Sequence, residues 1–132
     1  MNNGIQLVTR LYDAFAAGDI PGFLGHLSPE IVWNEAEGNP LADGNPYLGA
    51  DAIVAGVFAR LLAEWNDFGV EVQEIVGGDE VVTMFGRYKG VHAASGKPLD
   101  VQASHTWWIQ GDKVVRFQQM VDTASMAAAA GQ

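Results

Sequence analysis

The chain has 132 residues, 16 acidic and 7 basic side chains for a formal charge of −9, no cysteine, and 48% hydrophobic residues. That length suits a single domain spanning 1–132 with a core that needs no staples, and the lack of cysteine excludes disulfide scaffolds and cysteine zinc sites. An acidic chain without a cluster of Lys or Arg is a poor match for nucleic acid. No run reaches the ~18 apolar residues of a membrane span. The start MNNGIQLVTRLYDAF lacks a basic segment followed by an apolar one, so a cytoplasmic location is expected.

Asn2 or Asn3 can cap a first helix over about 3–17, in which Ile5, Val8, Leu11, Tyr12 and Phe15 recur at helical spacing and Gly18 sits at the stop. Asp19 is a second cap, followed by Pro21, Phe23, Leu24 and Leu27, which predicts a short helix closed by Ser28-Pro29. The segment 30–36 alternates Ile31, Trp33 and Glu35 against Val32 and Asn34, the pattern of a strand. EGNPLADGNPYLG, over 37–49, has two Asn-Pro pairs and three glycines and predicts a long, functional loop. Asp51 can cap a third helix carrying Ile53, Val54, Val57, Phe58, Leu61, Leu62 and Trp65.

Four strand-like runs follow over 68–76, 80–91, 99–110 and 113–122, with turns at Gly77-Gly78, around Ser95-Gly96-Lys97, and at Gly111-Asp112. Asp122 or Thr123 can cap a short Ala-rich terminal helix. The order α-α-β-α-β-β-β-β implies an α+β domain with an antiparallel sheet covered on one face by helices.

The run 99–110 carries the most chemistry. One face is Leu99, Val101, Ala103, His105, Trp107 and Ile109, so His105 is the lone polar group on an apolar face; it reads either as a satisfied core histidine or as a site residue. On the polar face Trp108 is the apolar exception, which suggests a covered surface, most simply a second subunit. In the last strand Gln119 interrupts a face of Val115, Phe117 and Val121. A strict two-residue turn at Gly111-Asp112 would set His105 opposite Gln118. An extra residue in this hairpin is expected, because only an offset unites both apolar faces.

Glu35 follows Ile31 and Trp33 on a strand face. It is either an exposed strand-end glutamate or a carboxylate bordered by apolar groups, whose raised pKa would suit proton transfer. Asp13, His26 and His92 are weaker candidates. The spacings contain no convincing metal site, phosphate loop or nucleophile elbow.

LYDAFAAGDIPGFLGHLSPEIVW, NPLADGNPYLGADAI and WWIQGDKVVRFQQMVDTA together resemble the SnoaL-like and ketosteroid-isomerase-like proteins of the nuclear transport factor 2-like superfamily. The resemblance implies a cone in which a curved antiparallel sheet wraps helices around an internal pocket, usually in a homodimer. It places Glu35 where ketosteroid isomerases hold an aspartate base and His105 where they hold a protonated aspartate. Their helix-one tyrosine would fall at Leu11, with Tyr12 one residue and about 100° away. Gln119 falls where SnoaL-type cyclases keep a catalytic aspartate, and a glutamine cannot transfer protons as a carboxylate does. Asp122 matches a common structural aspartate.

The expectation is a small-molecule pocket protein acting by acid-base catalysis on an apolar carbonyl-containing ligand, with Glu35, His105 and Gln119 as catalytic groups. Tyr12, Trp33, Met84, Trp107 and Phe117 are the expected pocket walls. No metal and no cofactor is expected, and the partner is a second copy of the chain bound through the face bearing Trp108. The alternatives are a ligand-binding domain without catalysis and a dimerisation module.

Overall fold

In the computed structural model, which describes residues 3–131, the stripe Leu7, Val8, Leu11 and Tyr12 forms the buried face of α1 (Asn3–Ala16). Asn3 is already helical rather than a cap, and the other cap candidate, Asn2, lies outside the described residues. Asp19 caps α2 (Ile20–Leu24) by accepting the Gly22 N–H at 2.9 Å. That helix stops before Ser28-Pro29, because Val114 N–H bonds to the His26 carbonyl at 2.9 Å and draws the chain into β1 (Leu27–Asn34).

The 37–49 segment is an ordered loop. Asn39 accepts the Leu41 N–H at 3.0 Å to cap a 3-10 turn, Pro40–Gly44. The Asn45-Pro46 peptide is cis, and β2 (Tyr47–Leu48) pairs antiparallel with β1. The Tyr47 ring lies against the backbone of the next helix at Gly56, where a Cβ would stand 2.1 Å from Tyr47 Cε1. Arg60 ties the turn to that helix through Asp43 at 2.7 and 3.2 Å.

Asp51 does not cap this helix. Gly49, at φ 85°, precedes α3 (Ala50–Ile53), and Asp51 falls inside the first turn, where its charge still suits the helix N-terminus. The helix passes through a π-helical turn, Val54–Phe58, into α4 (Ala59–Glu64). Trp65, expected to be helical, instead starts β3 (Trp65–Gly77) at φ −127°, and Asp67 at φ 54° marks an irregularity in its pairing.

β4 (Val81–His92), β5 (Pro98–Gln110) and β6 (Lys113–Val121) follow, and Asp122 caps α5 (Thr123–Ala129) by accepting the Ser125 N–H at 3.1 Å. The six strands lie in the order β2-β1-β6-β5-β4-β3 in one unclosed, curved sheet with the helices. The expectation of a wholly antiparallel sheet needs one correction: β1 pairs parallel with β6. The long crossover between them makes a parallel pair reachable where a tight hairpin would not.

The expected hairpin offset is present. Gln110 pairs with Lys113 and Ile109 with Val114, but Trp108 pairs with Arg116, leaving Val115 as the extra residue. Val114 thereby takes the fully buried place and Val115, expected on the apolar face, is only half-buried. Beyond the bulge His105 pairs with Gln119, so the two polar exceptions meet on the concave face. Among the described residues no helix is long and apolar enough to cross a membrane.

Candidate functional site

Glu35 stands one residue past β1, and its backbone is held by a side chain. Glu35 N–H donates to Asn45 Oδ1 at 3.0 Å and Asn45 Nδ2 donates to the Glu35 carbonyl at 2.8 Å, so the amide continues the strand's pairing. The carboxyl group is turned inward, with the residue 2% exposed. Trp33, two residues earlier on the same face, donates from Nε1 to Oε2 at 3.0 Å. Burial pushes the Glu35 pKa up to about 7, against the Trp33 hydrogen bond, the Arg60 charge and the Gln119 amide, all of which favour the ionised form.

His105 is buried on β5 with both ring nitrogens engaged. Nδ1 lies 2.6 Å from the Tyr12 hydroxyl, and Nε2 is hydrogen-bonded to the Tyr88 hydroxyl. Desolvation lowers its pKa to about 3, so the ring is neutral, and burial raises both tyrosines above the usual phenol value. Trp107 Nε1 donates to the Tyr12 oxygen at 3.0 Å.

Gln119 is oriented by donors that cannot reverse. Its Oε1 accepts from the Ala36 N–H at 3.0 Å and from Asn39 Nδ2 at 2.8 Å, which forces its amide nitrogen toward Tyr88, at 2.8 Å from the hydroxyl. A hydrogen-bonded chain therefore runs from the Asn39 turn through Gln119, Tyr88 and His105 to Tyr12 and Trp107.

Glu35, His105, Gln119, Tyr12, Tyr88 and Trp107 line one narrow cavity of about 40 Å³. Its walls are largely aromatic: Phe15, Phe23, Phe58 and Phe68 join Trp33, Trp107 and Phe117, and Met126 of α5 is also part of the lining. Trp33 stacks on Phe117 with ring centres 3.8 Å apart. Such a lining excludes water and strengthens every polar interaction within it.

Glu35, His105, Gln119, Tyr12, Trp33, Trp107 and Phe117 all border the cavity. Met84 does not; it pairs with His105 but packs with Leu7, Val8, Leu11 and Val82, where α1 fills the concave face. Leu11 is fully buried in this core, while Tyr12 reaches the histidine. Asp13 is exposed, His26 lies in the turn after α2, and His92 packs edge-on to Trp65. None of these three lines the cavity.

Sequence reasoning missed Tyr88 and Asn39. Tyr88 follows Val82, Met84 and Gly86 on the inward face of β4, a period-two signal visible in the sequence. Gly86 masks it: a Cβ there would meet the Glu71 carbonyl at 2.1 Å, so the site demands glycine in the middle of an inward row. Asn39 carries no signal beyond its place before Pro40. Among the described residues no group of three or more His, Cys, Asp or Glu could hold a metal ion.

A cone of curved sheet and helices around an apolar cavity with a few convergent polar groups defines a small-molecule pocket protein of the nuclear transport factor 2-like type. The chain belongs to the SnoaL-like domain family, whose sequence profile matches residues 8–117. It is similar to the crystal structure of an NTF2-like protein from Burkholderia thailandensis, at 32% identity over 98% of each chain with a TM-score of 0.92. An NTF2-like protein of unknown function from Burkholderia pseudomallei matches over the whole of both chains at 24% identity and a TM-score of 0.90. TerC, co-crystallised with polyporic acid, shares the fold at 21% identity, with a TM-score of 0.86 over 98% of this chain and 99% of that one. No curated protein matches the chain.

Proposed function

We propose that the chain is an enzyme performing acid-base chemistry on an apolar, carbonyl-bearing small molecule, with Glu35 as the base. The observation that carries this reading is a carboxyl group, 2% exposed, on the wall of an aromatic cavity, with its pKa raised to about 7. Near neutrality such a group is poised both to take a proton and to return it.

In the proposed step the Glu35 carboxylate removes a proton from the carbon next to the ligand's carbonyl. The C–H electron pair becomes the enolate double bond, and the carbonyl π pair moves onto oxygen. His105 and Gln119 act on that oxygen through the hydroxyl groups they hold, because both nitrogens of His105 are already engaged. Hydrogen bonds preorganised in a dry site are worth several kcal/mol to a developing oxyanion. Where a β,γ double bond extends the enolate, Glu35 then returns the proton to the γ carbon, completing an isomerisation; otherwise the enolate carbon attacks a second carbonyl, closing a ring, and Glu35 gives its proton to the alkoxide that forms. Family membership and the co-crystallisation of TerC with polyporic acid support a small-molecule occupant.

The test is solvent deuterium uptake by a panel of apolar enolisable ketones, followed by NMR. Wild-type protein should exchange the α-protons of at least one member, and Glu35→Gln should abolish that exchange while leaving its affinity within about threefold. Undiminished exchange in the variant would remove Glu35 as the base. Affinity without exchange in the wild type would favour the second reading, a ligand-binding domain, which gains support from the mutual satisfaction of the cavity's polar side chains.

The proposal includes a homodimer through the outer face of the sheet. Phe85, 47% exposed, Ser104 and Met120, 59% exposed, form one row across β4, β5 and β6, and the Arg116 guanidinium covers the Trp108 ring at 4.2 Å. A monomeric mass by light scattering at micromolar concentration would refute it.

A further inference from the structure

The hydrogen-bonded trio Tyr12, His105 and Tyr88 contains one proton more than its two internal bonds can use. The histidine is buried, no carboxylate among the described residues is bonded to it, and it is neutral, so it carries one ring proton. Each tyrosine supplies one more. The two links, Tyr12 to Nδ1 and Nε2 to Tyr88, consume only two of these three protons.

The fixed donors at the ends sharpen the count. The Trp107 indole can only donate, so the Tyr12 oxygen accepts from it. The Gln119 amide is locked nitrogen-first toward Tyr88 by the Ala36 N–H, so the Tyr88 oxygen accepts from it. Neither end can receive the surplus proton. One tyrosine hydroxyl must therefore accept from His105 and direct its own O–H out of the chain of bonds.

The surroundings decide which one. Among the described residues the polar atoms bonded to the Tyr12 oxygen are the indole nitrogen of Trp107 and the His105 ring, and its ring stacks on His105 and meets Trp107 edge-on. An outward O–H at Tyr12 would be an unpaired donor among apolar groups. The Tyr88 hydroxyl lies beside the Gln119 amide, which also favours the charge on Glu35, and Tyr88 feels that carboxylate's charge. Tyr88 and Glu35 both border the cavity, so an outward O–H there is offered on the wall that carries the base.

We propose that His105 is held as the Nε2–H tautomer and that the Tyr88 hydroxyl is the hydrogen-bond donor the cavity offers to a ligand oxygen. Tyr12 then donates to Nδ1 and is a positioning residue, although helix one is where the family resemblance places the donor tyrosine. For the reaction proposed above, on which the ligand's identity as a carbonyl compound rests, Tyr88 donates to the enolate oxygen and keeps its proton. The acid-side contact and the Glu35 base then border the same cavity, and the Gln119 amide acts on both.

The polarity is read directly in ligand-free protein. A His26→Gln/His92→Gln variant labelled with ¹⁵N-histidine leaves His105 as the single ring in a long-range ¹H–¹⁵N spectrum. A protonated Nε2 and a bare Nδ1 are expected; the reverse pattern, an averaged pair or two protonated nitrogens would overturn the assignment. As a second arm, 2-naphthol is titrated by calorimetry, and Tyr88→Phe should weaken it about tenfold, the loss of one hydrogen bond. Equal affinity in the variant, or no binding by the wild type, would count against Tyr88 as the donor. Neither arm depends on turnover, so an inert ketone panel would defeat the reaction and leave the tautomer standing.

Discussion

Trp33 Nε1 donates to Glu35 Oε2 across 3.0 Å, between residues two apart on one strand face. It is the largest of the influences that oppose the burial raising that carboxyl's pKa to about 7. Trp33→Phe removes a donor to a charged group, worth about 1.5 kcal/mol or more, and should move the Glu35 midpoint upward by ~1 unit. A pH titration of the ¹³C-labelled carboxyl group checks this, and an unchanged or lower midpoint would contradict it.

The same carboxyl group couples folding to pH. Because its pKa rises from 4.5 in the unfolded chain to about 7, the native state holds a proton the unfolded state has released, and stability falls as pH rises between those values. His105 acts in the opposite sense. Its pKa falls from 6.5 to about 3, so the unfolded chain binds the extra proton and stability is lost as pH drops through that window. The two slopes offset each other between about pH 4.5 and 6.5, which predicts a plateau there. Glu35→Gln keeps an acceptor for Trp33 and removes one slope, so the variant should gain on the wild type by about 3 kcal/mol as pH climbs from 4.5 to 7. Urea denaturation of both proteins at matched pH measures the difference, in which the exposed carboxylates cancel.

Gln119→Leu should destabilise the fold by roughly 2–4 kcal/mol. It strands two buried donors, the Ala36 N–H and Asn39 Nδ2, and removes the donor to Tyr88. Chemical denaturation measures the loss, and a change under about 1 kcal/mol would mean the Asn39 turn re-forms its bonds elsewhere.

Asp122→Ala deletes the cap of α5 and should cost about 1 kcal/mol. Since α5 carries Met126 into the cavity lining, amide exchange in 123–129 should quicken along with it. Unchanged exchange would show that packing of Met126 alone holds the helix.

Met120→Glu places a charge in the row formed with Ser104 and Phe85 on the outer sheet face. If that face joins two copies, the variant should be monomeric by light scattering at a concentration where the wild type is dimeric, with the fold intact by circular dichroism.

The alternation of 99–110 put His105 on an apolar face, and the demand that both apolar faces unite required the hairpin offset later found at Val115. Short-range periodicity suffices for such statements, since a one-residue slip would turn a whole strand inside out. The parallel pairing of β1 with β6 carries no such local signature, because its partners stand more than eighty residues apart. Trp65 shows the converse failure: it fits the helical spacing of 53–62, yet pairing with His92 takes it into β3.

By itself, then, the sequence determined the class of fold, the acidic surface, and the fact that Glu35, His105 and Gln119 each break an apolar pattern. Tertiary structure alone decided that Tyr88 joins His105 to Gln119 and that Asn39 and Ala36 fix the direction of that amide. The reason is physical: periodicity says which way a side chain points, whereas the proton inventory of a buried site depends on partners brought together from three separate strands, a loop and a helix.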